Sequence, residues 1–152
     1  MKIRIRKFDE RTDTRIIEYQ PDRTIIYTAG GSMSSLFSKS EFLDLFTPDG
    51  FWIAFSHDIP IGAVLFGKCD KEKPSCAAIY GIRVDEQYRR RGIGGVLSQK
   101  ADKYVRSNSI DRIILHTTPD NIAAITLCKK AGFIISENSV DKMKMMKKMR
   151  IR

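Results

Sequence analysis

Hydrophobic and polar residues alternate in several short runs that predict strands. Residues 2–8 alternate isoleucine with arginine, the period of two that is typical of a half-buried strand. Two β-rich runs, 51–56 and 61–68, are separated by a four-residue turn and predict a hairpin. A third strand is predicted at 77–84.

Helices are predicted where apolar residues return every three to four positions. Ser38 and Glu41 have the spacing of a capping box in front of a short amphipathic helix that should end at 47–50. A second helix follows the glycines at 92, 94 and 95. Beyond it we predict a strand at 112–118, a helix at 121–131 closed by Gly132, and a strand at 133–137.

Two segments have no consistent period. In residues 9–31, Ile16 and Ile17 could lie on a short helix, residues 24–28 look extended, and the two glycines at 30 and 31 break the preceding element. In the tail, 140–152, methionine and lysine locally favour a helix that is too short to form without packing.

The length, charge and cysteine content of the chain limit the class of protein to which it can belong. A chain of 152 residues is sized for one domain, and its net charge of +9 indicates an anionic partner. The three cysteines, at 69, 76 and 128, have spacings that match neither a metal site nor a disulfide framework, which suggests a reducing compartment. No signal-peptide pattern or membrane-spanning stretch is present, so a soluble, cytoplasmic protein is expected.

The strongest chemical signal is a glycine-rich turn between a predicted strand and a helix, Arg89-x-x-Gly92-x-Gly94. Glycines let a ligand approach the backbone, and the free N–H groups of a helix start attract phosphate. The arginines at 89, 90 and 91 add positive charge. The turn matches neither a Walker loop nor a dinucleotide fingerprint, and a plain strand-to-helix connection is the alternative.

The turn resembles the acyl-CoA loop of the GNAT superfamily of N-acyltransferases, [QR]xxGx[GA]. Ile82 to Asp85 resembles the end of that family's fourth strand, and Asn121 to Phe133 resembles its later NxxAxxLYxKxGF pattern. The resemblance spans roughly residues 50–149. It implies one α/β domain with a mixed, mostly antiparallel sheet flanked by helices, splayed fourth and fifth strands, and a final strand at 140–149.

The resemblance also implies a binding site for acetyl-CoA. The pantetheine arm would bond to the backbone of the fourth strand, the pyrophosphate would lie on the amides of the turn, and Asn121 would contact the cofactor from the other side. The cofactor-binding residues expected are Ile82, Arg83, Val84, Arg89, Arg90, Arg91, Gly92, Ile93, Gly94, Gly95 and Asn121. No metal is expected.

Catalytic residues are harder to place. Relatives often carry a carboxylate base on the fourth strand, but 77–84 contains none, and Tyr80 stands near the usual position. His116 carries an imidazole, a common catalytic base, but is out of phase with Leu115 and Thr117. Cys128 replaces the tyrosine that many relatives use as general acid. For each of the three, a packing role is the alternative.

The resemblance implies direct transfer of an acetyl group from acetyl-CoA to a primary amine. A GNAT-like domain that binds acyl-CoA without turnover is the alternative, and a nucleic-acid-binding protein is a third, which rests on charge alone and lacks any supporting motif. No nucleic-acid or membrane partner is expected. By the resemblance, the acceptor pocket is built from the first helices, roughly 9–47, and the last hairpin near 136–142, and a homodimer is possible.

Overall fold

The computed structural model describes residues 2–35, 38–45, 50–69 and 76–149. Its elements, in chain order, are β1 (Ile3–Lys7), β2 (Ile17–Gln20), β3 (Arg23–Thr28), β4 (Gly31–Ser35), α1 (Lys39–Leu45), β5 (Phe51–Ser56), β6 (Ile59–Lys68), β7 (Ala77–Val84), α2 (Ile93–Ser107), β8 (Arg112–Thr117), α3 (Ile122–Lys130), β9 (Ile134–Asn138) and β10 (Met143–Lys148). No described helix is long and apolar enough to cross a membrane.

Seven strands form one mixed sheet in the order β1-β5-β6-β7-β8-β10-β9. Every neighbouring pair is antiparallel except β7 and β8, which are parallel. The predicted mixed, mostly antiparallel sheet is therefore confirmed. The tail forms β10 because Met143 and Met145 alternate with lysines and bury one face, which overrides the local helical propensity.

Strands β7 and β8 separate after three paired positions. Pairing runs from Ala77 opposite Ile113 to Ile79 opposite Leu115 and then stops. At the same point the register between β6 and β7 shifts, since Phe66 lies opposite Ile79 while Leu65 lies opposite Gly81. Tyr80 is the extra residue of this bulge. The predicted splay is confirmed, and the gap between β7 and β8 begins at Tyr80.

A second, three-stranded sheet, β2-β3-β4, occupies the segment where helices were expected. The extended run predicted at 24–28 is confirmed as β3, whereas the helices expected in this part of the chain were wrong for residues 17–20 and 31–35, which form β2 and β4. The side chains of Thr24 and Ile26 are almost fully buried, whereas that of Tyr27 is exposed. The sheet packs with β3 over β6 and β4 over β7.

The two faces of the large sheet carry separate cores. One face packs against α2 and α3 and includes Leu97, Val105 and Ile113. The other packs against the small sheet and α1 and includes Ile26, Phe42 and Ile53. These faces are called the helix face and the small-sheet face below.

Local signals placed the helix ends well. The Ser38 hydroxyl donates to Glu41 Oε1 at 3.0 Å, and the Glu41 amide donates back to the Ser38 hydroxyl at 3.3 Å, which confirms the capping box. Gly132 has φ of 100° just after α3, as a helix-ending glycine should. The predicted end of this helix, at 47–50, falls mostly on residues that lie outside the described ones.

The cysteine prediction was wrong. Cys69 and Cys76 form a disulfide at the loop end of the β6–β7 hairpin, and Cys128 is free. Lys68 lies opposite Ala77 in the antiparallel register, so the next residue on each strand is placed for pairing. A seven-residue spacing across a hairpin was the signal available in the sequence.

Candidate acyl-CoA site

The glycine-rich turn ends in an open helix N-terminus. Arg90 and Gly92 both have left-handed backbone conformations, with φ of 65° and 80°, and α2 begins at Ile93 without a side-chain cap. A Cβ atom on Gly92 or Gly95 would meet no protein atom within 4 Å. No side chain therefore caps the first N–H groups of α2, space is open beside Gly92 and Gly95, and the positive end of the helix dipole favours an anion there.

Gly94 has a different role from the one expected. A Cβ atom on Gly94 would overlap the Leu127 side chain on α3. Its lack of a side chain lets the two helices approach each other, so packing between α2 and α3 explains this glycine.

The three arginines of the turn make different contacts. The Arg89 Nε donates to the Val84 carbonyl at 2.9 Å and ties the turn to the end of β7. The Arg91 guanidinium lies over the Tyr88 ring, 5.7 Å from its centroid. Arg90 is exposed beside the helix start. Arg89 is thus engaged with the protein backbone, whereas Arg90 and Arg91 are exposed beside the start of α2.

The register of β7 decides which backbone groups face the gap. The Asp85 amide donates to the Ile61 carbonyl at 2.8 Å, so alternate residues, Arg83 and Gly81, also turn their backbone groups toward β6. The N–H and C=O groups of Ile82 and the N–H of Val84 then point into the gap. Of the three β7 residues expected to bind the cofactor arm, Ile82 and Val84 offer backbone groups, and Arg83 does not.

Asn121 lies at the start of α3 as its N-cap. Its side-chain oxygen accepts from the Ala124 amide at 3.2 Å. The side-chain NH₂ group keeps its donors for a ligand.

The Tyr80 hydroxyl is engaged within the β6–β7 hairpin. It donates to the Lys68 carbonyl at 2.5 Å, and burial raises the pKa of the phenol above its ordinary value. A phenol that is neutral and already donating its proton is poorly suited to accept one.

Cys128 is buried against the helix face of the sheet. Only 3% of the residue is exposed, and burial raises the pKa of its thiol to about 11. It is therefore a neutral thiol near pH 7, not a thiolate nucleophile.

His116 follows Leu115, the last residue of β8 that pairs with β7. Leu115 packs into the helix-face core, so His116 projects to the opposite face, the small-sheet face. Its side chain is exposed, and Lys144 of β10 lies opposite it. The structure thus brings His116 to the point where β7 and β8 separate, on the same face as Tyr80 and apart from Cys128.

Sequence analysis missed the contacts that join the small sheet to the end of β7. Asp85 is buried and accepts from the Gly30 amide at 2.7 Å and from the Thr28 hydroxyl. The Arg83 guanidinium donates to the Gly30 carbonyl at 3.1 Å. These partners are more than 50 residues apart in the chain, so a single sequence gives no signal for the pairing.

Taken together, these elements define an α/β domain with an uncapped, glycine-rich helix start beside a gap between two parallel strands. The chain belongs to the acetyltransferase (GNAT) family, whose model matches residues 16–133.

The chain is also similar to individual proteins of known sequence or structure. A mycothiol acetyltransferase of Mycolicibacterium vanbaalenii is 30% identical over 101 residues, 62% of this chain and 33% of that protein. The chain thus spans about a third of the length of this curated relative. A putative streptothricin acetyltransferase from Bacillus anthracis, solved with acetyl coenzyme A, superposes with a TM-score of 0.70 at 21% identity, covering 99% of this chain and 100% of the other. The NatC complex bound to Gag peptide and CoA gives 0.73 at 21% identity and covers 99% and 100%. These two structural likenesses bear on the fold alone.

Proposed function

We propose that the protein is an N-acetyltransferase that moves an acetyl group from acetyl-CoA to a primary amine by direct attack. The observation that carries the proposal is the open phosphate-binding turn at Gly92 and Gly95, placed next to a gap into which β7 presents unpaired backbone groups. Bound acetyl-CoA supplies an acetyl thioester that is activated toward amines.

The residues present fit that cofactor. The pyrophosphate would be held by the amides of Ile93 to Gly95, with charge from Arg90 and Arg91. The arm would bond to the backbone of Ile82 and Val84, and the Asn121 amide group would approach from α3. Arg89 and Gly94 would support this site through the protein rather than touch the cofactor.

We infer that His116 is the general base. In the transfer, a C–N bond forms and the C–S bond breaks, one proton leaves the amine, and one proton reaches the sulfur. An imidazole can take the amine proton directly or through a water molecule. His116 lies on the small-sheet face at the start of the gap, where an acceptor amine would arrive.

Cys128 is poorly suited to be the acid. A thiol of pKa about 11 would give its proton to a thiolate whose conjugate acid has an ordinary pKa of ~8.5, an uphill transfer of about 3 kcal/mol. We therefore propose that Cys128 packs α3 and that solvent, or the proton leaving the amine, protonates the sulfur. Tyr80 would hold the hairpin beside the bulge.

The proposal is tested by measuring both acetyl-CoA binding and acetyl transfer. Calorimetry should give specific binding of acetyl-CoA, and a thiol reagent should detect free CoA when a panel of primary amines is added. H116Q should lower kcat about 10²-fold or more, with the Kd for acetyl-CoA unchanged, whereas C128A should retain most of the activity. Absence of acetyl-CoA binding would overturn the proposal.

A binding domain without turnover is the second candidate. It is favoured by the lack of any carboxylate in residues 77–84 and by the neutral Cys128 thiol. Tight acetyl-CoA binding without CoA release across the amine panel would establish it. We further propose a cytoplasmic location, where acetyl-CoA is available, and a possible homodimer, with no nucleic-acid or membrane partner.

A further inference from the structure

Strand β4 has an open edge. It is the last strand of the small sheet, and among the described residues no strand pairs with its outer side. The Tyr27 amide donates to the Ile16 carbonyl at 2.7 Å, so Tyr27 turns its backbone groups toward β2, and Ile26 turns its own toward Met33 of β4. By alternation, Ser32 and Ser34 present their N–H and C=O groups to the open edge.

This edge overlies the gap between β7 and β8. A Cβ atom on Gly81 would lie 2.9 Å from the Met33 sulfur, and one on Gly31 would lie 2.5 Å from the Arg83 guanidinium. Strand β4 therefore follows β7 in the opposite direction. Because β3 lies over β6, the open side of β4 faces away from β6 and toward β8.

The position of β4 is fixed by the end of β7. The turn between β3 and β4 is held by the Asp85 carboxylate and the Arg83 guanidinium through the backbone of Gly30. Asp85 also leads, through a short 3-10 helix at Glu86–Tyr88, into the glycine-rich turn, which Arg89 ties to the Val84 carbonyl. The open edge and the glycine-rich turn are thus both attached to the end of β7.

We propose that the acceptor amine is carried by an extended polypeptide that adds to β4 as a fourth strand of the small sheet. This inference rests on the proposed acetyl transfer. Neighbouring strands lie ~4.8 Å apart, so a chain beside β4 would lie above the gap, within reach of the acetyl group and of His116.

The contacts available are those of β-strand addition. Ser32 and Ser34 together offer two donors and two acceptors to a peptide backbone, which gives affinity without demanding a particular side-chain sequence. Their own side chains are exposed and small, so they leave the edge unobstructed. A small amine without a peptide backbone would gain none of these hydrogen bonds.

Bisubstrate conjugates test the inference without knowledge of the natural sequence. In one, CoA is joined through an acetyl bridge to the N-terminus of tri-alanine amide, and in the control it is joined to propylamine. The peptide conjugate should bind about tenfold more tightly by calorimetry. N-methylation of the peptide amides should remove that gain.

Backbone variants locate the effect. S32P and S34P each remove an outward N–H while leaving the pairing with β3 intact, as proline permits on an edge strand, and S32A and S34A keep that N–H. The proline variants should lose most of the tenfold gain, the alanine variants should keep it, and all should bind acetyl-CoA like wild type. Hydrogen exchange by NMR should show the Ser32 and Ser34 amides protected only by the peptide conjugate.

The outcomes separate the two proposals. Equal affinity for the two conjugates, or unchanged exchange at Ser32 and Ser34, would overturn strand addition and leave acetyl-CoA binding intact. Failure of both conjugates to bind would overturn the acyl-CoA site itself, and strand addition with it. If a proline variant does not fold, the N-methylated peptide still decides the question.

Discussion

Leu127 of α3 occupies the space in which a Cβ atom on Gly94 of α2 would lie. The same turn of α2 contains Gly95, whose missing side chain faces open space. Two adjacent glycines therefore serve different purposes, one for packing and one for access to the proposed cofactor.

G94A and G95A form a matched pair that separates stability from binding. We expect G94A to lower the free energy of unfolding by about 1–2 kcal/mol, because overpacking outweighs the gain in helix propensity. G95A should leave stability unchanged or raise it by ~0.5–1 kcal/mol while weakening acetyl-CoA about tenfold. Denaturant unfolding and calorimetry measure the two effects. A restored stability in G94A/L127A would confirm the clash, and a stable G94A would contradict it.

The arginines of the turn should also differ from one another. R89A removes the charged hydrogen bond to Val84, so we expect a loss of about 1–2 kcal/mol in stability. R90A should leave stability nearly unchanged but weaken acetyl-CoA binding and flatten its dependence on salt, because one positive charge near the phosphates is lost. Titrations between low and high NaCl distinguish the two. The same salt dependence in R90A and wild type would place Arg90 outside the site.

The sequence predicted the elements whose signals are local. The strand, glycine-rich turn and helix around Gly92 and the capping box at Ser38 follow from spacing alone. Of the small sheet, the sequence indicated only the extended run at 24–28. Strands β2 and β4 were missed because Ile16 and Ile17 are adjacent apolar residues and residues 31–35 contain a single apolar side chain, that of Met33. Strand β10 shows the converse, since packing of Met145 between β8 and β9 decides a segment whose propensity favours helix.

For the candidate site, the sequence motif predicted the glycine-rich turn but not the contacts that hold it in position. The family resemblance indicated residues 82–84 as a group, and only the register with β6 separates Ile82 and Val84 from Arg83. The contacts of Asp85 with Thr28 and Gly30 join segments that are distant in sequence. Contacts of this kind arise from tertiary packing and leave no periodic signal.

The Cys69–Cys76 disulfide can be checked by counting thiols. The unreduced, denatured chain should give one reactive thiol, that of Cys128, and the reduced chain should give three. Closing so short a loop stabilises a protein by roughly 2–3 kcal/mol in the chain-entropy model. A reductant should therefore lower the melting temperature of wild type and leave C69S/C76S unchanged. Three reactive thiols before reduction would contradict the pairing.

The ion pair between Asp13 and Arg6 should make stability depend on pH. Asp13 is buried and accepts from Arg6 Nη1 at 2.6 Å and Nη2 at 2.8 Å, and this hydrogen bonding is the main reason that the pKa of Asp13 lies below its ordinary value. A lowered carboxyl pKa gives stability that is fully present above the unfolded value of about 4 and is lost as pH falls through the folded value.

D13N should therefore lower the free energy of unfolding at pH 7 by about 1–2 kcal/mol, a value reduced because Arg6 is partly exposed. The difference between D13N and wild type should shrink as pH falls below ~4, because protonation of Asp13 removes the same charge. Urea unfolding of D13N and wild type at pH 7 and below pH ~4 measures the loss of stability and its dependence on pH. D58N is the matched control, since Asp58 is fully exposed and its pair with Arg4 spans 3.7 Å. A difference that stays constant with pH would mean that packing, and not the charge of Asp13, stabilises this segment.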